Sequence, residues 1–202
     1  MKKTILVLAL SVLLLAACSA ETTQNSKEAY IEKLPLTAAE QELVNLLNNG
    51  GNASIYHYAV NEDVKSLKIY LDVYQDGTLL DRKLSGAVGL NAAEGKMAVL
   101  PDQSSNTAFH LSIVTGSGGA YFNLQNALDV GALSQIDVPS NGPQAGIKAT
   151  DTYALFARLF CKPESMFVYA DTLSNPDRLK AYSYAYIISC EFSSDRLDSQ
   201  SP

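Results

Sequence analysis

The chain has 202 residues, a formal charge of −6, eleven tyrosines and no tryptophan. That length suits one domain with a real core. The acidic balance excludes nucleic acid and anionic lipid headgroups as partners, since both need a basic footprint.

At the N-terminus, Met1-Lys2-Lys3 supplies positive charge ahead of an apolar run from Ile5 to Ala17, broken only by Ser11. Charge first and apolar core second is the order of an export signal. The run is too short to span a bilayer, which takes about 20 residues. It ends in Leu15-Ala16-Ala17-Cys18, which resembles the lipobox of bacterial lipoproteins. That resemblance implies cleavage before Cys18 and diacylglycerol on its thiol, so residues 1–17 are the leader and Cys18 is the lipidation site. Two acyl chains hold a protein stably, where one is marginal. The expected address is extracytoplasmic, at a cell membrane or cell surface. Ser19 follows the cysteine, so the Asp that marks inner-membrane retention is absent. Loss of Lys2 and Lys3 takes the formal charge from −6 to about −8, since the leader holds no acid.

From Ser19 to about Glu32 the residues are mostly small, polar or charged. Such a segment cannot bury apolar area and reads as a tether over residues 18–34, with a coil span of about 20 Å. A single domain is expected over 35–193, then a polar tail over 194–202. Thr37-Ala38-Ala39-Glu40 has the pattern of a capping box, and Leu43, Leu46 and Leu47 form one apolar stripe. The expectation is a short helix packed on one end of the body, stopped at Asn48-Asn49-Gly50-Gly51.

From Ala53 the apolar period shortens to two. Leu67, Ile69, Leu71 and Val73 share one face of a strand, with Lys68, Tyr70, Asp72 and Tyr74 on the other. Asp76-Gly77 suits a tight hairpin into Leu79–Val88. Further strands read at Ser54–Val60, Lys96–Leu100, Ala108–Thr115, Ala120–Leu124 and the edge piece Ile136–Pro139. Asn123–Leu133 reads as strand end or helical turn. In Thr150–Cys161, Tyr153, Leu155, Ala157, Leu159 and Cys161 alternate against Phe156, Arg158 and Phe160, which reads as a strand with a short helix as the alternative. In the last strand Tyr182, Tyr184, Tyr186, Ile188, Cys190 and Phe192 share a face. Turn breaks every ten or so residues and no βαβ rhythm predict a mainly β fold, an antiparallel β-sandwich with one short N-terminal helix. In the Leu67–Gly77 strand-and-turn and the tyrosine-rich final strand, the body also resembles small lipoproteins of gut-dwelling Gram-positive bacteria, a similarity that implies no activity.

Chemical sites are scarce. Gly116-Ser117-Gly118-Gly119 lacks the spacing of a nucleophile elbow and the Lys-Ser/Thr of a phosphate loop, and reads as a hairpin. His57 and His110 sit in separate strands without metal-ligand spacing, and no acid pair is nominated for glycoside chemistry. Neither a catalytic residue, nor a cofactor, nor a metal is therefore expected. Export permits a disulfide between Cys161 and Cys190, closing about 30 residues and contributing roughly 3.5 kcal/mol. The alternative is two buried thiols. Tyr70 and Tyr74, and less so Tyr56 and Tyr58, are the candidate surface for a glycan, a peptide or an envelope protein. The function expected is a non-catalytic binding or interaction module. The alternatives are an accessory envelope protein docking to a membrane complex and, less favoured, a glycan-processing enzyme of the cell wall.

Overall fold

The computed structural model describes residues 29–48, 53–126, 128–165 and 167–197. The leader, Cys18, most of the tether, Asn49 to Gly51 and the end of the tail lie outside the described residues. In chain order the elements are β1 (Tyr30–Lys33), α1 (Ala38–Leu47), β2 (Ser54–Ala59), β3 (Ser66–Gln75), β4 (Thr78–Gly89) and β5 (Glu94–Pro101). They continue with β6 (Ala108–Thr115), β7 (Gly118–Gln125), β8 (Ser134–Pro139), β9 (Gln144–Ala145), β10 (Thr152–Cys161) and β11 (Tyr184–Ser193). Six strands form one sheet in the order β7-β6-β5-β2-β1-β9, and five form a second in the order β4-β3-β11-β10-β8. All pairings are antiparallel, and the fold is mainly β with one short α-helix, as the alternation predicts.

The period-two faces meet between the sheets. Leu67, Ile69, Leu71 and Val73 of β3 and Tyr186, Ile188, Cys190 and Phe192 of β11 pack against Tyr56, Tyr58, Met97, Val99, Phe109, Leu111 and Ile113 of the six-stranded sheet. The β3–β4 hairpin turns at Asp76 and Gly77, with φ of 48° and 77°, the pair of positive dihedrals such a two-residue turn requires. A Cβ on Gly77 would also lie 2.9 Å from the backbone nitrogen of Lys180. Gly116 (φ 54°) supplies the one positive dihedral where β6 turns into β7, so the glycine-rich run is a hairpin.

Several expectations are corrected. The tether ends earlier than residue 34, because Tyr30–Lys33 is a strand pairing with both β2 and β9, and Ile31 lies in the core. Its single buried apolar residue among polar ones hides it from a composition reading. The alternation of Tyr153, Leu155, Ala157, Leu159 and Cys161 breaks at a bulge between Ala154 and Phe156. Leu155 and Phe156 both enter the inter-sheet core, and beyond them the faces exchange: Phe160 is inside, while Ala157, Leu159 and Cys161 join an outer cluster.

The register rules out the Cys161–Cys190 bridge. Cys190 pairs with Tyr153, so Cys161 lies roughly 25 Å farther along the sheet at about 3.3 Å per residue. A disulfide tolerates a Cα separation of only about 7 Å. The thiols also lie in different clusters, Cys190 between the sheets and Cys161 outside them. Both are free and buried.

Tyr182 likewise packs in the outer cluster, away from Tyr186, because β11 begins only at Tyr184. The described part of Asn123–Leu133 holds the end of β7, irregular backbone and a turn at Gly131 and Ala132, with no helix. Helix α1 has the anticipated capping box, Thr37 and Glu40 each bonding the other's backbone. Its stripe, however, does not pack on the body: Leu43, Leu46 and Leu47 are exposed.

Candidate functional site

Cys18 lies outside the described residues. Tyr56 and Tyr58 are no surface platform, since both are buried in the core; the Tyr56 hydroxyl donates to the Leu155 carbonyl. Tyr70 and Tyr74 are half-buried on the outer face of the five-stranded sheet. The Tyr70 hydroxyl donates to Glu191 Oε2 at 3.3 Å, and the Arg82 guanidinium lies 4.7 Å over its ring. Arg82 also meets Asp72 at 3.0 Å; burial raises the Asp72 carboxyl above its ordinary range, and Arg82 opposes that rise. Tyr74 packs against the outer cluster of Leu179, Tyr182 and Ile187. Both rings are therefore largely engaged within the molecule.

The same outer face carries a concavity. Residues 162–183 cross it between β10 and β11, burying Leu179 and Tyr182 on Ala157, Leu159, Ala185 and Ile187. This crossing is shaped by local hydrogen bonds. Asn175 caps the 3₁₀ turn Pro176–Ala181, with Pro176 in its first turn. The Tyr182 hydroxyl donates to the Phe167 carbonyl at 3.0 Å, and the Thr172 hydroxyl to that of Tyr169 at 2.8 Å. On the far side, Pro139 ends β8 and the Ser140 N–H donates to the Leu155 carbonyl at 2.8 Å. Between the two runs a trough of about 650 Å³, within the range typical of small-ligand sites.

Its floor and walls mix apolar side chains (Val138, Ala154, Leu173) with the hydroxyls and amides of Ser140, Asn141, Gln144, Thr152 and Ser174. Tyr169 supplies the one aromatic ring. Arg178 lies 4.4 Å over that ring, and Phe167 meets it edge-on at 4.9 Å. Arg178 Nε in turn donates to Asp171 at 3.0 Å, while Asn175 Nδ2 donates to the same carboxylate at 3.2 Å. Those bonds, Asn175 first and Arg178 second, hold the Asp171 carboxyl below its ordinary range. At the other rim, Lys33 Nζ donates to Asn141 Oδ1 at 3.4 Å. No charged side chain lines the trough itself. The arrangement can bind an uncharged polar ligand, and its lining offers no carboxylate, imidazole or thiol.

The histidines stand apart on the other sheet. His57 Nδ1 meets the Tyr30 hydroxyl at 3.0 Å and its Nε2 meets Glu94 at 3.7 Å. His110 stacks on Tyr121 and bonds Asn123 at 2.7 Å. They pair with Lys96 and Leu100 of β5 from opposite sides, roughly 13 Å apart along the strand and about 10 Å across it. They do not converge. Among the described residues no group of three or more His, Cys, Asp or Glu is placed to hold a metal ion.

An ion pair made by a fully buried arginine also escaped the sequence reading. Arg158 is fully buried, bidentate on Asp137 at 2.7 and 2.9 Å, over the Phe109 ring at 4.9 Å, and donating to the carbonyls of Ser105 and Asn106. It lines neither the trough nor the smaller cavity beside α1, and it ties β8 and β10 to the loop before β6. The trough was missed because its walls are brought together across long loops. The one local hint is Phe167-Val168-Tyr169, an apolar cluster inside a polar connection.

Comparison of the chain with protein-family models, with curated proteins and with solved structures finds no match.

Proposed function

We propose that this chain is a lipid-anchored extracytoplasmic binding module that holds an uncharged saccharide in the trough without transforming it. The lining carries the reading: Ser140, Asn141, Gln144, Thr152 and Ser174 together with Tyr169, and no charged residue among them. A sugar presents hydroxyls for hydrogen bonding and an apolar C–H face for packing, which suits Tyr169, Val138 and Leu173. An acidic glycan would find no cation in the lining and a protein of the same sign around it. Glycosidic cleavage takes two carboxyl groups flanking the bond, and the lining offers neither. The address rests on the leader and on Leu15-Ala16-Ala17-Cys18.

Two experiments test these parts separately. On arrays of neutral glycans, acidic glycans and uncharged peptides, the chain should bind neutral glycans. Tyr169→Ala and Asn141→Ala should each weaken binding without shifting the unfolding midpoint. Retention of peptides alone, or binding indifferent to both variants, contradicts the site. Fatty-acid label should be lost in Cys18→Ser, and label that survives overturns the anchor.

A second reading, an accessory envelope protein, draws on the β3–β4 hairpin. There exposed Leu84 pairs with Tyr70 and exposed Leu79 with Tyr74. Crosslinking to one envelope protein through a probe at Leu84, competed away by that purified protein, would favour it over saccharide binding.

A further inference from the structure

Helix α1 is amphipathic in the reverse sense for a soluble domain. Its half-buried side is Gln41, Val44, Asn45 and Asn48, spaced three and four apart. That polar side is satisfied: Gln41 Nε2 donates to Asn45 Oδ1 at 2.7 Å, and Asn48 Nδ2 to the Pro101 carbonyl at 3.4 Å. The apolar side faces outward, with Leu43, Leu46 and Leu47 exposed by 57, 73 and 76%. A capping box defines the N-terminus, and a fixed contact to the end of β5 defines the other end. The body cannot cover the leucines without turning Gln41, Asn45 and Asn48 away from it.

We infer that α1 lies on the outer surface of the bilayer, its leucines at the headgroup–acyl boundary; this rests on the lipid-anchor reading above. Chain length supports the bilayer as occupant. Cys18 precedes Ala29, where the body begins, by eleven residues, so a fully extended connection reaches roughly 40 Å and a coil about half of that. Residues 34–37 alone join β1 to α1. A lipidated Cys18 thus holds an apolar phase permanently within reach of an uncovered apolar stripe.

At ten residues, about 15 Å, the helix is far too short to cross. Among the described residues no helix is long and apolar enough to do so. A stripe on a short helix lies in the interface plane instead. The helix carries Glu40 and Glu42 and no basic residue, so it suits zwitterionic or neutral headgroups and is opposed by anionic ones. Because Asn48 bonds Pro101 of β5, a docked α1 also sets the orientation of the sandwich on the membrane.

The absence of tryptophan makes the test direct. Leu46→Trp introduces a single reporter at an exposed position, and Leu84→Trp on the other sheet is its control. The chain from Cys18 onward is coupled through the Cys18 thiol to a maleimide phospholipid in phosphatidylcholine vesicles with brominated acyl chains; Cys161 and Cys190 are buried. Chemical coupling makes the result independent of whether cells lipidate Cys18, so failure of the anchor and failure of the docking are read separately. The expected result is a blue shift and about threefold stronger quenching for Leu46→Trp than for Leu84→Trp. Adding Leu43→Ser and Leu47→Ser should remove that difference, and phosphatidylglycerol should weaken it. Emission from Leu46→Trp that is the same on vesicles as in solution overturns the proposal. So does a blue shift that grows with protein concentration without vesicles, which would give the stripe to a second copy.

Discussion

Leu67, Ile69, Leu71 and Val73 recur every second residue in β3 and are all buried between the sheets; Leu43, Leu46 and Leu47 recur at helical spacing in α1 and are all exposed. Apolar periodicity identifies residues that share a face. It does not say which phase that face meets. The opposite side of each element decides. In β3 that side carries Lys68, Tyr70 and Asp72, which find Glu191 and Arg82 on the outer face of the sheet. In α1 it carries two amides that bond each other and a third that bonds a carbonyl, so facing inward leaves those amides bonded.

This contrast can be broken or sharpened by mutation. The largest effect is expected where burial and charge coincide. Arg158→Ala empties a fully buried position and leaves the Ser105 and Asn106 carbonyls without their donor, and should cost about 3–5 kcal/mol by urea denaturation. Arg158→Met, which keeps volume, should cost less. Leu111→Ala, at a fully buried position of β6, should cost about 2–5 kcal/mol. Next come the thiols. Burial pushes both Cys161 and Cys190 upward, so neither should react with a thiol reagent in the folded chain, and both should react on unfolding without reductant. A bridge would leave neither reactive.

Asp171→Asn should weaken saccharide binding severalfold with little change in stability, because it releases Arg178 from beneath Tyr169. The pH dependence has the same origin. A carboxyl lowered on folding contributes at pH above its ordinary 3.8 and loses that contribution as pH falls through its folded value. Binding should therefore be level at neutral pH and down to the carboxyl's ordinary 3.8, and fall only below it. Isothermal titration across that range checks the sign.

Much of the fold was legible. Ala108–Thr115 and the capping box were readable to the residue because both rest on local chemistry: strict alternation in one, a Thr–Glu pair in the other. The Asp76–Gly77 turn was readable for the same reason. What failed depends on distant contacts. The bulge at Ala154–Phe156 leaves no mark on the alternation before it, yet it exchanges the faces of everything after it, placing Cys161 in a different cluster from Cys190. β1 holds one apolar residue that matters, Ile31, and is a strand only because β2 and β9 flank it. The trough is assembled from β8, β9, β10 and a long connection, so Tyr169 and Asn141 are remote in sequence. Tyr70 and Tyr74 were visible as a row, but their packing partners Arg82, Leu179 and Ile187 come from other segments.

The contrast between the two apolar faces is tested most directly by the urea midpoint of the triple variant Leu43→Ser, Leu46→Ser, Leu47→Ser, measured beside Leu111→Ala in the same soluble chain. Three exposed leucines predict a change within about 0.5 kcal/mol for the triple variant, against a loss of at least about 2 kcal/mol for the single core substitution. A triple variant as unstable as Leu111→Ala would mean that the stripe is buried against the body after all.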